Sequence, residues 1–341
     1  MTEPMQSPRS VAVVGATGAV GEILLEVLAE RRFPISRLRV LASDRSAGTT
    51  VRFQGDALAV EPVRPQLFEG IDLVFFAATG SLSKELAPEA QRRGAVVIDK
   101  SNTWRMDPAV PLVVPEVNPD AAMKHRGILA GPNCTTIGFV MALEPLRRAA
   151  GLRSVVVTTL QAASGAGRDG MDELSRQTVE LANGDEPVAK VFPRTLAGNV
   201  LPLCESFRED GYSTEEMKLV LETRKILDLP DLPVSVTCVR VPVAVGHSAA
   251  LLVETERPLL PAAARAALAA FPGVCVVDDP SSNVFPTPKD VAGRDEVLVG
   301  RIRRDLESDR LWLWEVSDNL RKGAATNAVQ TAELLLARGM V

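Results

Sequence analysis

Short runs of β-branched and apolar residues alternate with amphipathic stretches through the first third of the chain. The run Val11-Ala12-Val13-Val14 predicts a strand, and the pattern over 19–31 then changes to a helical period. Further strands are expected over 38–42, 73–77 and 96–98, with a helix over 82–93 between the last two. Strands separated by helices at this spacing predict a parallel, doubly wound sheet. Beyond position 134 the rhythm is different. A helix over 135–149 is followed by longer strands over 153–160, 234–241, 249–254, 296–303 and 311–316, with helices over 172–182, 215–227 and 261–270. Long strands with few crossovers predict a mixed, largely antiparallel sheet and an α+β second domain. A last helix is expected over 323–337, placed to pack back on the first domain.

The length of 341 residues agrees with two domains, since a single core normally stops growing below that size. Hydrophobic residues make up 46% of the chain and charged residues 24%, with both signs dispersed and a net charge of -5, so no concentrated basic face is present to bind nucleic acid. No apolar stretch reaches the length of a membrane span and the first ten residues lack the apolar segment of a signal peptide, which makes the cytosol the expected location. The four cysteines, Cys134, Cys204, Cys238 and Cys275, form neither a CxxC pair nor a zinc-ligand spacing, and no metal is expected.

Two segments carry candidate chemistry. The first strand runs into Gly15-Ala16-Thr17-Gly18-Ala19-Val20-Gly21, which then opens a helix. A dinucleotide pyrophosphate needs this context: glycines for a tight turn and close backbone approach, and helix N-terminal amides facing the anion. Gly15, Thr17, Gly18, Ala19 and Val20 are the candidate contacts, and the fold class is therefore an α/β Rossmann-like N-terminal domain joined to the α+β domain. At the end of the second strand lies Ser43-Asp44-Arg45-Ser46. Arg45 and Ser46 suit the 2′-phosphate of NADP, while Asp44 leaves NAD open.

The second segment is Gly131-Pro132-Asn133-Cys134-Thr135-Thr136, where a turn delivers Cys134 to the start of a helix. That setting favours thiolate, and the first-turn amides are candidates to stabilise an oxyanion. The other three cysteines lie in apolar or strand-like surroundings and read as structural. The chain has two histidines. His125 lies in a charged turn, whereas His247 follows Gly246 at a bend between two strands and is the favoured base for Cys134.

These segments, with NTWRM, VPEVN, QAASGAG, EEMKLVLETRKIL, TCVRVPVAVGHS, VGRIRRD and VSDNLRKGAATN in order, resemble the bacterial aspartate-semialdehyde dehydrogenases along nearly the whole chain. The resemblance implies a 1–133 NADP-binding domain completed by a C-terminal helix in 319–341, and a 134–318 catalytic and dimerisation domain. It implies NADPH-dependent reduction of aspartyl phosphate to aspartate semialdehyde through a cysteine thioester, in the biosynthesis of lysine, threonine, methionine and diaminopimelate, by a homodimer. By the same resemblance Cys134 is the nucleophile, His247 its acid/base partner, and Gln161 the residue that positions substrate beside the sulfur. Arg240 would grip the substrate carboxylate, Glu215 the ammonium, with Asn133 beside them, and Arg105 and Lys218 would hold phosphate. Ser164, Gly165 and Asn319 would meet the nicotinamide end of NADP. The competing readings are an N-acetyl-glutamyl-phosphate reductase, against which Glu215 argues as a countercharge for a free ammonium, and a silent relative, against which the retained Cys134 and His247 argue.

Overall fold

The structure, a computed structural model, describes residues 7–341 and divides them into two compact units. The first contains the described residues up to Pro132 together with Ala324–Val341, and the second is Asn133–Gly323.

In the first unit, strands β1 (Arg9–Val14), β2 (Ile35–Ala42), β5 (Glu61–Pro62), β6 (Leu73–Phe76), β7 (Val96–Asp99) and β8 (Ile128–Ala130) form one parallel sheet in the order β5-β2-β1-β6-β7-β8. A hairpin of β3 (Thr50–Phe53) and β4 (Asp56–Ala59) stands apart from it. Helices α1 (Ala19–Glu30) and α2 (Gly80–Arg92) supply crossovers, and α3 (Pro119–Ala122) is a single turn. β1 is central and fully buried over Val11–Val14, as a strand covered on both faces must be. The terminal helix α9 (Thr326–Ala337) turns Ala328, Val329, Ala332, Leu335 and Leu336 into the same core as Leu24, Leu28 and Phe75. The helical spacing of those apolar positions is what attaches the end of the chain to this unit.

The second unit opens with α4 (Cys134–Ala150) and builds a six-stranded sheet from β9 (Ser154–Gln161), β10 (Val234–Arg240), β11 (His247–Glu254), β12 (Val274–Val276), β13 (Val297–Arg304) and β14 (Leu311–Ser317). Its order is β10-β9-β11-β14-β13-β12. The outer pairs β10/β9 and β12/β13 are parallel and the three inner pairs antiparallel, which makes the sheet mixed. Helices α5 (Gly167–Ala182), α6 (Thr214–Leu227), α7 (Pro261–Ala269) and the short α8 (Pro288–Val291) complete it.

Some boundaries differ from the sequence expectation. Helix α5 begins at Gly167 and not near 172, because the glycine-rich start is taken into the first turn. The expected helix over 323–337 is preceded by a π-helical turn, Arg321–Ala325, and becomes α-helical only at Thr326. Residues 319–323 belong to the second unit, held by Asp318, which accepts from the amides of Gly293, Leu320 and Arg321, and by the hydrogen bonds of Asn319.

One buried acid lies beneath α4. A Cβ on Gly138 would run into the Glu315 carboxyl and the Ser317 hydroxyl, so α4 approaches β14 this closely only with glycine at that position. Burial pushes the Glu315 carboxyl up to about 8 from 4.5. Between these pH values the folded chain keeps a proton that the unfolded chain has lost, so the contribution of Glu315 to stability falls as pH rises through that window and levels off above it. Glu315→Gln, neutral at every pH, is expected to become more stable than the wild type by on the order of a few kcal/mol as pH rises from 5 to 8. Urea midpoints at the two pH values check this; an unchanged gap between the proteins would disprove it.

Candidate active site

Strand register in the second unit gathers the functional side chains at one end of the sheet. Gln161 and Arg240 end the parallel strands β9 and β10 in register with each other. β11 runs the opposite way and starts with His247, which pairs with Ser317 at the end of β14. Asn319 follows two residues later. Sequence-distant residues therefore share one edge because their strands end or begin there.

Cys134 is the first residue of α4, and its Sγ lies 3.4 Å from His247 Nε2. The other ring nitrogen, Nδ1, accepts a hydrogen bond from the Ala162 amide at 3.0 Å. His247 is buried; burial first, and then the positive Arg240 nearby, hold its pKa well below the usual value. Asn133 caps α4: its Oδ1 accepts from the amides of Thr135 (2.9 Å) and Thr136 (3.3 Å). Those two amides, expected to be free for an oxyanion, are thereby occupied. The Asn133 Nδ2 donates to both oxygens of Glu215 (3.0 and 3.1 Å), and its backbone N–H donates to Glu222 Oε2 (2.7 Å).

Arg240 is buried, donates from Nη1 to the Ala162 carbonyl at 2.7 Å, and lies 6.0 Å from the centroid of the Phe192 ring. Among the described residues no carboxylate pairs with it. Gly165 lies against Arg240 and His247, and a Cβ there would crowd the guanidinium and the imidazole ring. Glu215, also buried, meets Lys218 Nζ at 3.3 Å, and Lys218 reaches Glu205 as well. Gln161 is buried, with Nε2 donating to Thr159 Oγ1 at 3.3 Å. The Asn319 Oδ1 accepts from Ser164 Oγ and from the Gly246 amide, both at 3.0 Å.

A sequence model described as the semialdehyde dehydrogenase NAD-binding domain matches residues 10–125, and one described as the semialdehyde dehydrogenase dimerisation domain matches 143–322. An aspartate-semialdehyde dehydrogenase of Aquifex aeolicus is 50% identical over 336 residues, which are 97% of this chain and 99% of that protein. The Bacillus subtilis enzyme of the same name is 47% identical over 334 residues, 95% of this chain and 96% of its own. The chain belongs to the aspartate-semialdehyde dehydrogenase family. The crystal structure of aspartate semialdehyde dehydrogenase II from Vibrio cholerae, complexed with ASA, matches at a TM-score of 0.94 with 45% identity, covering 97% of this chain and 99% of that one. The Candida albicans enzyme with NADP matches at 0.76 with 25% identity, covering 98% of this chain and 100% of its own.

The dinucleotide loop that this family model spans is built as its glycines require. Gly15 has φ +86°, and a Cβ there would collide with the Ala77 carbonyl; at Gly21 it would collide with the Gly15 carbonyl. Gly18 is the N-cap of α1, followed by Ala19 and Val20 in its first turn. Arg45 and Ser46 lie in a 3-10 turn directly after β2, where Arg45 is exposed. Asp44, which kept NAD open, is paired with Arg64 at 2.5 Å on the surface. Arg105 belongs to the first unit and Lys218 to the second. Arg105 is buried, with Nε on the Gly131 carbonyl (3.0 Å) and Nη2 on the Lys100 carbonyl (2.9 Å). His125 is half-buried in its turn, its Nδ1 accepting from the Gly127 amide.

Several contributors were not singled out by the sequence pattern. Gly323 lies on Cys134, where a Cβ would come within 2.9 Å of the cysteine Cβ. Glu222 holds the backbone N–H of Asn133, the residue before the cysteine, and Ala162 serves His247 and Arg240 through its two backbone groups. Phe192 faces Arg240 from a loop whose amides at Lys190, Val191 and Phe192 all donate to Glu173. Asn133→Ala removes the cap of α4 and is expected to cost about 1 kcal/mol of stability in urea unfolding, with Asn133→Ser restoring most of it. Equal midpoints for the alanine variant and the wild type would count against the cap.

Proposed function

We propose that the chain catalyses NADPH-dependent reductive dephosphorylation of L-aspartyl 4-phosphate to L-aspartate 4-semialdehyde, with Cys134 as the nucleophile. The observation that carries this reading is the buried Arg240 without a carboxylate partner among the described residues, next to the thiol–imidazole pair. A buried guanidinium is costly unless an anion completes it. Its fork matches a carboxylate in two-point contact, so the substrate α-carboxylate is the natural counter-ion. Glu215 offers the opposite charge for the α-ammonium, held by Asn133 and Lys218. An acylated amine would forgo that charge, which disfavours an N-acetyl-glutamyl phosphate.

With the substrate anchored at both α-groups, the Cys134 sulfur attacks the β-carbonyl and phosphate leaves, with Arg105 and Lys218 assigned to the phosphate. Gln161, at the end of β9, positions the resulting thioester. A nicotinamide cofactor, when bound, would supply the hydride for reduction of that thioester. In the reverse direction phosphate cleaves the thioester; the covalent intermediate divides one hard step into two easier ones. The glycine cradle at Gly15, Gly18 and Gly21 admits a pyrophosphate, with Thr17, Ala19 and Val20 beside it, and Ser164, Gly165 and Asn319 are assigned to the nicotinamide end. Arg45 and Ser46 are assigned to the 2′-phosphate, which makes NADP the cofactor. The chain acts as a homodimer, in keeping with the dimerisation domain it matches. No helix among the described residues is long and apolar enough to cross a membrane, and no acidic or thiol cluster among them could hold a metal; the proposed reaction takes place in the cytosol.

Phosphate-dependent oxidation of aspartate semialdehyde, followed with NADP and NAD in parallel, tests substrate and cofactor together. Cys134→Ala is expected to lose activity by at least about 10³-fold while still binding NADP; substantial residual turnover would sink the thioester mechanism. Arg45→Ala is expected to raise the KM for NADP by about 10-fold or more and leave the KM for NAD nearly unchanged. A parallel rise for both cofactors would remove Arg45 from the 2′-phosphate.

A further inference from the structure

Lys218, on the second turn of α6, stands between two carboxylates. Glu215, three residues earlier on the same helix, meets its Nζ at 3.3 Å, and Glu205 meets the same nitrogen from the loop that precedes the helix. The two acids differ in their surroundings. The Glu215 side chain is 5% exposed and also receives Asn133 Nδ2, whereas the Glu205 side chain is 44% exposed. A buried carboxylate loses much by giving up its cation, while one that opens to water loses little, so Glu205 is the loosely held member. Its placement is nevertheless specific. Thr214 Oγ1 donates to Glu205 Oε2 at 2.8 Å, and the Thr214 backbone N–H donates to the Ser206 carbonyl at 2.9 Å. The loop is thereby folded back onto the first turn of α6, which carries the carboxylate to Lys218. Glu205 takes φ +65° in doing so, a left-handed conformation that glycine would adopt without strain. Glycine would bring no charge to the lysine.

One ammonium flanked by two carboxylates leaves the point between them negative, and a phosphate dianion arriving there is repelled unless one carboxylate departs. Glu215 is not the one to leave. It is buried, held by Asn133, and assigned to the substrate ammonium; with that ammonium in place, Glu205 still occupies Lys218. We infer that Glu205 is a built-in competitor of phosphate: it holds Lys218 until phosphate or the acyl phosphate enters, is then displaced into solvent, and so sets the concentration of phosphate that the enzyme requires. This deepens the proposed function and rests on its assignment of Lys218 to phosphate. The exchange makes and breaks no covalent bond. It moves one half-open side chain away from a lysine that is itself only 17% exposed, and the incoming dianion gains a cation already drawn into position by the acid it replaces.

Glu205→Gln keeps an oxygen that can accept from Lys218 and removes the charge. In phosphate-dependent oxidation of aspartate semialdehyde at fixed ionic strength, it is expected to lower the KM for phosphate by about 3–10-fold and to leave the KM for the semialdehyde within about twofold. An unchanged KM for phosphate means that the acid does not compete, and a raised one means that it positions the lysine for phosphate; either overturns the inference. Should Glu205→Gln fail to fold, Thr214→Val decides in its place: it keeps the acid, removes the hydroxyl that anchors it, and is expected to lower the KM for phosphate by a smaller factor. Calorimetric titration of the full chain with inorganic phosphate, without semialdehyde, separates this inference from the reading it rests on. Tighter binding to Glu205→Gln than to the wild type, and weaker binding to Lys218→Met, are the expected results. Equal affinities for Glu205→Gln and the wild type, or an affinity that Lys218→Met leaves intact, refute the competitor. A wild-type chain that binds phosphate in this order and does not oxidise the semialdehyde refutes the proposed substrate alone.

Discussion

The cap on α4 is the interaction on which the site depends. A helix that begins at its own nucleophile must satisfy its first amides locally, and Asn133 does this with Oδ1 while its Nδ2 reaches both oxygens of Glu215. One side chain thus fixes where the sulfur starts and where a buried carboxylate on α6 points. Glu222, also on α6, holds the Asn133 backbone N–H. The nucleophile is placed by three hydrogen-bonded groups on two helices, and Gly323 closes against it where a side chain could not fit.

The sheet does the corresponding work for the partner residues. β9 and β10 run parallel, so Gln161 and Arg240 arrive together at their ends, and antiparallel β11 begins with His247 at the same edge. Ala162 continues β9 by one residue and uses both of its backbone groups, N–H on the imidazole and C=O on the guanidinium. Backbone groups at a strand end have no ladder partner to give up, which makes them available for this purpose. The side chain at 162 takes no part, so nothing in its chemistry advertises the role.

Much of this fold was legible in the sequence because the strong signals are periodic. The βαβ alternation leads to the parallel sheet, the later long strands lead to a mixed sheet, and the apolar face of α9 explains its burial in the first core. Short elements were not legible. β8 and β12 have three residues each, and β3 and β4 four each, so none reaches the length at which a period declares itself. The π-helical turn at Arg321–Ala325 escaped for a related reason: its 318-to-323 backbone hydrogen bond reflects the local environment and has no sequence period of its own. In the candidate site, charged side chains and the cysteine could be singled out by type and motif. The Ala162 backbone, Phe192 and Gly323 could not, since their contributions arise from position in space. The first-turn amides of α4 looked free only because the direction of the Asn133 side chain is invisible in a sequence.

Arg240 shows why such a site is left incomplete by its own chain. Elsewhere buried charges are satisfied internally: Glu144 by Arg147 and Arg148, Glu173 by three loop amides, Glu216 by the amides of Ser213 and Cys238. Arg240 has one carbonyl and the face of one aromatic ring, neither of which carries a full negative charge. A carboxylate supplied by the protein at that point would stabilise the free chain and close the fork to any ligand. Leaving the cation buried without one costs stability, and the same desolvation makes an arriving anion bind more strongly than it would at an exposed arginine. Burial and this same positive neighbour hold the adjoining His247 well below its usual pKa, and its Nδ1 accepts from the Ala162 amide. The charge that would recognise substrate and the imidazole that faces the sulfur are therefore held by the two backbone groups of one residue, Ala162.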